Sequence, residues 1–239
     1  MTRRTRPRHA PAREGHVAAE AKRAASHEPG LEFERLLFFS DAVFAIAITL
    51  LIIDIRLPTL PDQPTDQDLL DGLREVLPSI VAYGLSFATI GLYWLAHWRR
   101  YRYLTGVNER LVALNLVLLG LIAFIPFPTA VIGEHGDLAA AVILYVITLS
   151  AAGLVGPLTW LYAWRAGFVR MDVTARYATY AALRGFSVPL VMLSSLLLLP
   201  ILGPNGVEVA WLSIVPVQLA MNHLARRTQD SRLPGPGDA

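Results

Sequence analysis

Six apolar stretches, each about as long as a helix must be to cross a bilayer, divide most of this 239-residue chain. They fall at about 34–56, 79–98, 108–131, 138–164, 178–202 and 207–225. A helix rises about 1.5 Å per residue, so about 20 residues cover a hydrocarbon layer of about 30 Å. Hydrophobic residues make up 54% of the chain and charged residues 17%, and mean hydropathy is +0.45 with both polar tails included. The expectation is an all-α integral membrane protein with six transmembrane helices. The links at 57–78, 99–107, 132–137, 165–177 and 203–206 are short enough for an up-and-down bundle. Gly153, Gly156 and Pro157 predict a tilt or kink in the fourth span, and Arg184 and Pro189 interrupt the fifth.

Orientation follows from Lys and Arg. With an even number of spans, the two tails and the second and fourth links share one side. That side carries all but two of the 21 basic residues, the two being Arg56 and Arg74. Basic residues stay on the cytoplasmic side, so both termini are expected there, in a multi-pass protein of the cell (plasma) membrane. Residues 1–30 are rich in Arg, Ala, Pro and His and contain no apolar h-region, so they read as a disordered basic cytoplasmic tail rather than a cleavable signal. The membrane domain then covers 31–226, and 227–239 form a short cytoplasmic tail. The first external link is acidic, with Asp62, Asp66, Asp68, Asp71 and Glu75; Glu134 and Asp137 lie on the third link. Such a rim concentrates cations or is an ordinary solvated loop.

The chain has no cysteine, which excludes disulfides and thiolate metal sites. Its histidines, at 9, 16, 27, 97, 135 and 223, never stand three or four apart, so no helical metal pair arises. No cofactor is expected, and nothing points to nucleic acid as a partner. A Ser40–His97 dyad can be drawn, but Ser40 lacks the Gly-x-Ser-x-Gly setting of a hydrolase nucleophile, so an enzyme is not expected.

The first span holds the chemistry. Asp41 places a carboxylate near the start of a helix apolar enough for a bilayer, and such a residue is a candidate functional position. On a wheel of about 100° per residue, Ile46, Thr49, Leu50 and Ile53 form one stripe, while Ser40 and Asp41 lie about 120° and 140° away from Ile46. One face must meet polar partners, and the other presents aliphatic side chains beside a hydroxyl. Partners at the depth of Asp41 come from Trp94 and His97, three apart near the end of the second span, and from Asn115, about two turns into the third. Ser40, Asp41, Trp94, His97 and Asn115 are expected to form one polar cluster within the subunit. The competing reading makes Trp94 and Trp98 interfacial aromatics and His97 a helix-end residue.

The string Arg35-x-x-x-Phe39-Ser40-Asp41, followed by an Ala-Ile-x-x-Thr-Leu helix and by Asp54-Ile55-x-x-Pro58, resembles the bacterial members of the transmembrane-protein-175 family of potassium channels. Trp94-x-x-His97, the start of the third span and Pro126-Phe127 extend the resemblance over about residues 31–226; Ala42 stands where many members have Gly. The resemblance implies a homotetramer around a central pore lined by the first helix. Ile46, Thr49, Leu50 and Ile53 would line a hydrophobic constriction in place of a carbonyl filter. Arg35, Phe39, Ser40, Asp41, Trp94, His97 and Asn115 would form the packing network behind it. The implied partners are permeant K+, the lipid bilayer and further copies of the chain. The nearest rival is a proton-coupled or proton-permeable transporter using Asp41 and His97, although the two halves show no clear internal repeat.

Overall fold

The computed structural model describes residues 11–211, and the side chains of 31–207 and 211. The described residues form helices α1 (Pro11–Leu50), α2 (Asp66–Glu75), α3 (Leu77–Tyr101), α4 (Glu109–Phe124), α5 (Pro126–His135), α6 (Ala139–Arg165), α7 (Ala175–Ser195) and α8 (Leu199–Trp211), with a single 3-10 turn, Leu196–Leu198, between the last two. Among the described residues, four stretches are long and apolar enough to cross a membrane: Leu77–Tyr101, Glu109–His135, Ala139–Arg165 and Ala175–Val207. They correspond to the second to fifth expected spans. The sixth, at 207–225, lies outside the described residues beyond Trp211.

α1 departs from expectation at both ends. It begins at Pro11, inside the segment read as a disordered tail, because the run from Ala18 to Ala25 favours helix and Pro11 suits a first turn. It stops at Leu50, short of the expected end at 56. Ile52, Ile53 and Ile55 are β-branched and weak helix formers, and the chain leaves through tighter turns, Ile53 N–H to Leu50 C=O at 3.1 Å and Ile55 N–H to Ile52 C=O at 3.3 Å.

Capping explains several other boundaries. The Asn108 side chain accepts from Leu111 N at 3.0 Å to start α4, and Thr174 Oγ1 accepts from Tyr177 N at 3.2 Å to start α7. Pro126 cannot donate, so α4 and α5 divide at Ile125. Gly203 adopts φ 68° and ψ 178°, a conformation open to glycine, and breaks α8 inside the expected link at 203–206. α2 falls inside the expected link at 57–78, where Thr65 and Asp68 cap it reciprocally, with Asp68 N–H to Thr65 Oγ1 at 3.2 Å and Thr65 N–H to Asp68 Oδ2 at 2.8 Å.

α6 is the central post, packed against α3, α4, α5, α7 and α8. Two apolar cores flank it. The larger gathers Phe44, Ala47 and Leu51 of α1 and the following turn with Ile90, Ile122, Val142, Tyr145 and Leu149. The smaller, at the arginine-rich end, gathers Tyr101, Leu104, Leu111, Trp160 and Val169. There the loops after α3 and α6 zip together, with Thr105 N–H to Phe168 C=O at 2.8 Å and Arg170 N–H to Tyr103 C=O at 3.0 Å. α1 thus lies on one flank of the bundle, packed along one side against α3, α4 and α5.

Candidate functional site

α1 buries Ser40, Phe44 and Ala47, and the turn after it buries Leu51, each at 3% exposure or less. The spacing of four and three residues from Ser40 to Ala47 makes one stripe of a helix. On the wheel Thr49 stands roughly opposite this stripe, with Ile46 about 130° and Leu50 about 90° from it; Thr49 is exposed, Ile46 is 57% exposed and Leu50 40%. A single subunit leaves an aliphatic face of this helix without cover.

The buried side is tied down by hydrogen bonds. Asn115 Nδ2 donates to Ser40 Oγ at 2.9 Å, and Ser40 Oγ donates to Leu36 C=O at 2.8 Å. With the amide of Asn115 so oriented, its Oδ1 is the acceptor for its other two partners, Tyr101 Oη at 3.0 Å and His97 Nε2 at 2.9 Å. His97 therefore carries a proton on Nε2. Its ring stacks on Tyr101 with centroids 4.1 Å apart and tilts against Phe44 of α1 at 5.6 Å. Ser40, His97 and Asn115 are all at 1% exposure or less. A buried polar set of this kind is stable only when its members are paired, and here each finds a partner.

Asp41 makes a separate attachment. Trp94 Nε1 donates to Asp41 Oδ1 at 2.8 Å. Ser40 and Asp41 are successive residues and point about 100° apart, so one enters the bundle and the other meets the exposed flank of α3. The five residues expected in one cluster are thus brought to α1 in two sets. Arg35 and Phe39 join neither set. Arg35 is exposed, and no ion pair joins it to Asp41 among the described residues. Phe39 is 52% exposed and by register lies toward the Ile46–Leu50 side.

Thr49 Oγ1 donates its proton to Ile46 C=O at 2.9 Å. The lone pairs of the hydroxyl remain to face outward, which suits a cation. Ile53 is 54% exposed but sits in the turn after Leu50, so the helical wheel does not fix its direction. Tyr101 was missed by sequence reasoning. It stands four residues after His97 on the same face of α3, and extending that face past Arg99 and Arg100 would have found it. No group of three or more His, Asp or Glu side chains fit to hold a metal occurs among the described residues.

Comparison with known proteins places the same segment in a known setting. The profile of the family described as the endosomal/lysosomal potassium channel TMEM175 matches residues 35–126, which contain every side chain of the two attachments. A potassium channel of Streptomyces collinus is 38% identical over 157 residues, 62% of this chain and 74% of that protein. The endosomal/lysosomal proton channel TMEM175 of Gallus gallus is 35% identical over 132 residues, but these are only 26% of its length. The crystal structure of a lysosomal potassium-selective channel TMEM175 homolog from Chamaesiphon minutus superposes with a TM-score of 0.66 at 27% identity, covering 80% of this chain and 98% of that one.

Proposed function

The chain belongs to the TMEM175 family, and on that premise we propose that it is a potassium channel whose conducting surface is the exposed face of α1. The observation that carries this reading is the split of α1: Ser40, Phe44 and Ala47 are buried and anchored, while Ile46, Thr49 and Leu50 are left bare. A membrane helix with one uncovered face lies against lipid, another copy or a water-filled path. Asp41 on the adjoining flank argues against lipid.

In this reading the subunit crosses the membrane six times, with both termini in the cytoplasm, and four copies bring their α1 helices around an axis in the plasma membrane. Ile46, Leu50 and Ile53 would form a hydrophobic neck that closes by dewetting and opens by a small rotation or dilation. An ion there sheds part of its hydration shell. Potassium gives up water more readily than sodium, and a ring of Thr49 oxygens replaces some of it. Selectivity by few oxygens should be moderate. No cofactor is required; K+ is the permeant species. The residues tied to Asn115 and Trp94 would hold the helix in register, not touch the ion.

A proton-carrying reading is favoured only by relatives such as the Gallus gallus protein, which is named a proton channel. Asp41 and His97 are the groups it would use. Here they bond to different partners, Trp94 and Asn115, not to one another. The test is flux from purified protein in liposomes with matched K+ and Na+ gradients. K+ flux above Na+ flux is expected, and Ile46→Asn should raise leak and reduce the difference. Equal currents for the variant and the parent would remove Ile46 from the path. Saturating flux that demands a counter-ion would favour a carrier.

A further inference from the structure

α3 leaves two different surfaces bare. It buries Ser86, Ile90, His97 and Tyr101 against the bundle. On a wheel of about 100° per residue, Ile80, Gly84, Phe87, Gly91, Trp94 and Trp98 fall within about 80° of one another, while Val81, Leu85 and Leu92 lie about 120° further round. The first strip adjoins α1, since its Trp94 holds Asp41, and it alternates aromatic rings with glycines. The second is wholly aliphatic. Phe87, Trp94 and Trp98 are exposed, and a Cβ added at Gly84 or Gly91 meets no other helix of the described residues within 4 Å. The first strip also outruns α3. Val76, the residue between α2 and α3, keeps a right-handed helical conformation (φ −85°, ψ −2°). The same face therefore continues through Leu73 and Leu69 of α2, 44% and 40% exposed.

We propose that this strip is the seat of the α1 helix of a neighbouring copy of the chain. Lipid fits it badly at both ends. About 20 residues cover the hydrocarbon layer, so a layer counted back from Trp98 and Arg99 ends near Leu77. Leu73 and Leu69 stand about 6 and 12 Å beyond that level along the helix path, among Asp71, Arg74 and Glu75, where no acyl chain reaches. At the inner end the strip borders the carboxylate of Asp41, exposed in the subunit and costly against lipid. Between the ends, glycines open notches between aromatic knobs, and small residues of this kind let membrane helices approach one another closely. The aliphatic strip of Val81, Leu85 and Leu92 has none of these features and suits acyl chains. The proposal deepens the channel reading and rests on it: with the bare face of α1 toward a shared axis, the α1 of the next copy stands on the flank where α3 joins.

The experiment places the photo-crosslinker benzoylphenylalanine in the full chain in place of Phe87, Leu73 or Leu92, reconstitutes each protein into liposomes and irradiates it. Positions 87 and 73 are expected to give chain-to-chain adducts that map to α1 of the other copy, and position 92 to give lipid adducts. Lipid adducts at 87 like those at 92 overturn the proposal, and so do chain-to-chain adducts that map to a helix other than α1. Gly91→Leu is the second measurement. The added side chain meets no other helix inside the subunit, so the subunit folds, whereas a seated neighbour is pushed out. The assembled fraction, by native mass spectrometry, is expected to fall about tenfold, and Leu92→Ala should leave it unchanged. Assembly of Gly91→Leu equal to that of the parent overturns the proposal. Lipid adducts at 87 together with raised leak in Ile46→Asn would remove the seam and leave the conduction path. Chain-to-chain adducts with unaltered Ile46→Asn currents would keep the seam and remove that path.

Discussion

Asn115 Nδ2 lies 2.9 Å from Ser40 Oγ, joining the middle of α4 to α1 across 75 positions of sequence. The bond matters because Ser40 has no freedom left. Its own proton goes to Leu36 C=O, one turn back in α1. The amide of Asn115 thereby fixes both the depth and the rotation of α1, and with them the direction in which Ile46 and Leu50 point.

Replacing Asn115 with Leu should unfix the helix. The Tyr101 hydroxyl and the Nε2 proton of His97 would lose their shared acceptor in a dry interior, and Ser40, still bonded to Leu36 C=O, would lose its tie to α4. Each orphaned donor costs about 1–3 kcal/mol. The thermal midpoint in detergent should fall by several degrees and K+ flux should drop. A double-mutant cycle of Asn115→Leu with Ser40→Ala should show coupling of at least about 0.5 kcal/mol. Strict additivity would mean that the two side chains do not act together.

The Asp41–Trp94 bond predicts a different pattern. Asp41 is exposed in the subunit and Trp94 is 37% exposed, so solvent competes for both. Trp94→Phe should cost no more than about 1 kcal/mol. Asp41→Asn keeps an oxygen acceptor and should conduct nearly as the parent does, while Asp41→Ala should lose flux. Thermal midpoints and liposome flux for the three variants check this. Loss of flux in Asp41→Asn equal to that in Asp41→Ala would show that the charge, and not the bond, is what matters.

Gly133 of α5 is predicted to be intolerant of even one methyl group. A Cβ there would stand 2.9 Å from Ser79 Cα and 3.0 Å from Ser79 Oγ. The first obstacle is the backbone of α3, which a rotamer change cannot clear. Gly133→Ala should destabilise by about 1–3 kcal/mol and lower the detergent melting midpoint, whereas Gly120→Ala, with open space around it, should not.

α2 should loosen in acid. The Thr65 side chain and backbone N–H both bond to Asp68, and these bonds hold its carboxyl below the usual range. A depressed folded-state pKa means that the cap contributes fully above the ordinary carboxylate value of about 4 and is lost as pH falls through the lower folded value. Hydrogen exchange of the amides at 66–70, corrected for intrinsic rates, should be flat from pH 7 to 5 and accelerate in more acidic buffer. Asp68→Asn keeps an acceptor without a titrating proton and should flatten the profile. An unchanged acid response in Asp68→Asn would place the transition elsewhere.

Much of this arrangement was legible in the sequence, and particular residues show where legibility ended. The wheel separated Ser40 from Ile46 because helical periodicity is local information. It could not divide the partners of Ser40 from those of Asp41, since that depends on how α3 and α4 cross α1. Trp94 and His97 were found by their spacing, but Tyr101 was passed over because Arg99 and Arg100 read as the end of a span, whereas α3 continues to Tyr101. The end of α1 at Leu50 was also hidden. Apolar Ile52 and Ile53 extend the hydropathy signal while their β-branching weakens the helix. α2 carries a readable signal in Thr65 and Asp68, a capping pair inside a stretch too short and too acidic to stand out as a span. The paired loops at Thr105 and Phe168 depend on a contact 63 positions apart, which no local pattern announces.

The most direct test uses the absence of cysteine from the chain. Single substitutions Ile46→Cys, Leu50→Cys and Ala47→Cys, in protein reconstituted into liposomes, are treated with a membrane-impermeant cationic thiol reagent during K+ flux. If the bare face of α1 lines the conduction path, Ile46→Cys and Leu50→Cys lose most of their flux on modification. Ala47→Cys, on the face buried against the bundle, keeps it. Block at Ala47→Cys without block at Ile46→Cys or Leu50→Cys would contradict the account, because the ion path would then lie on the side of the helix that packs against the bundle.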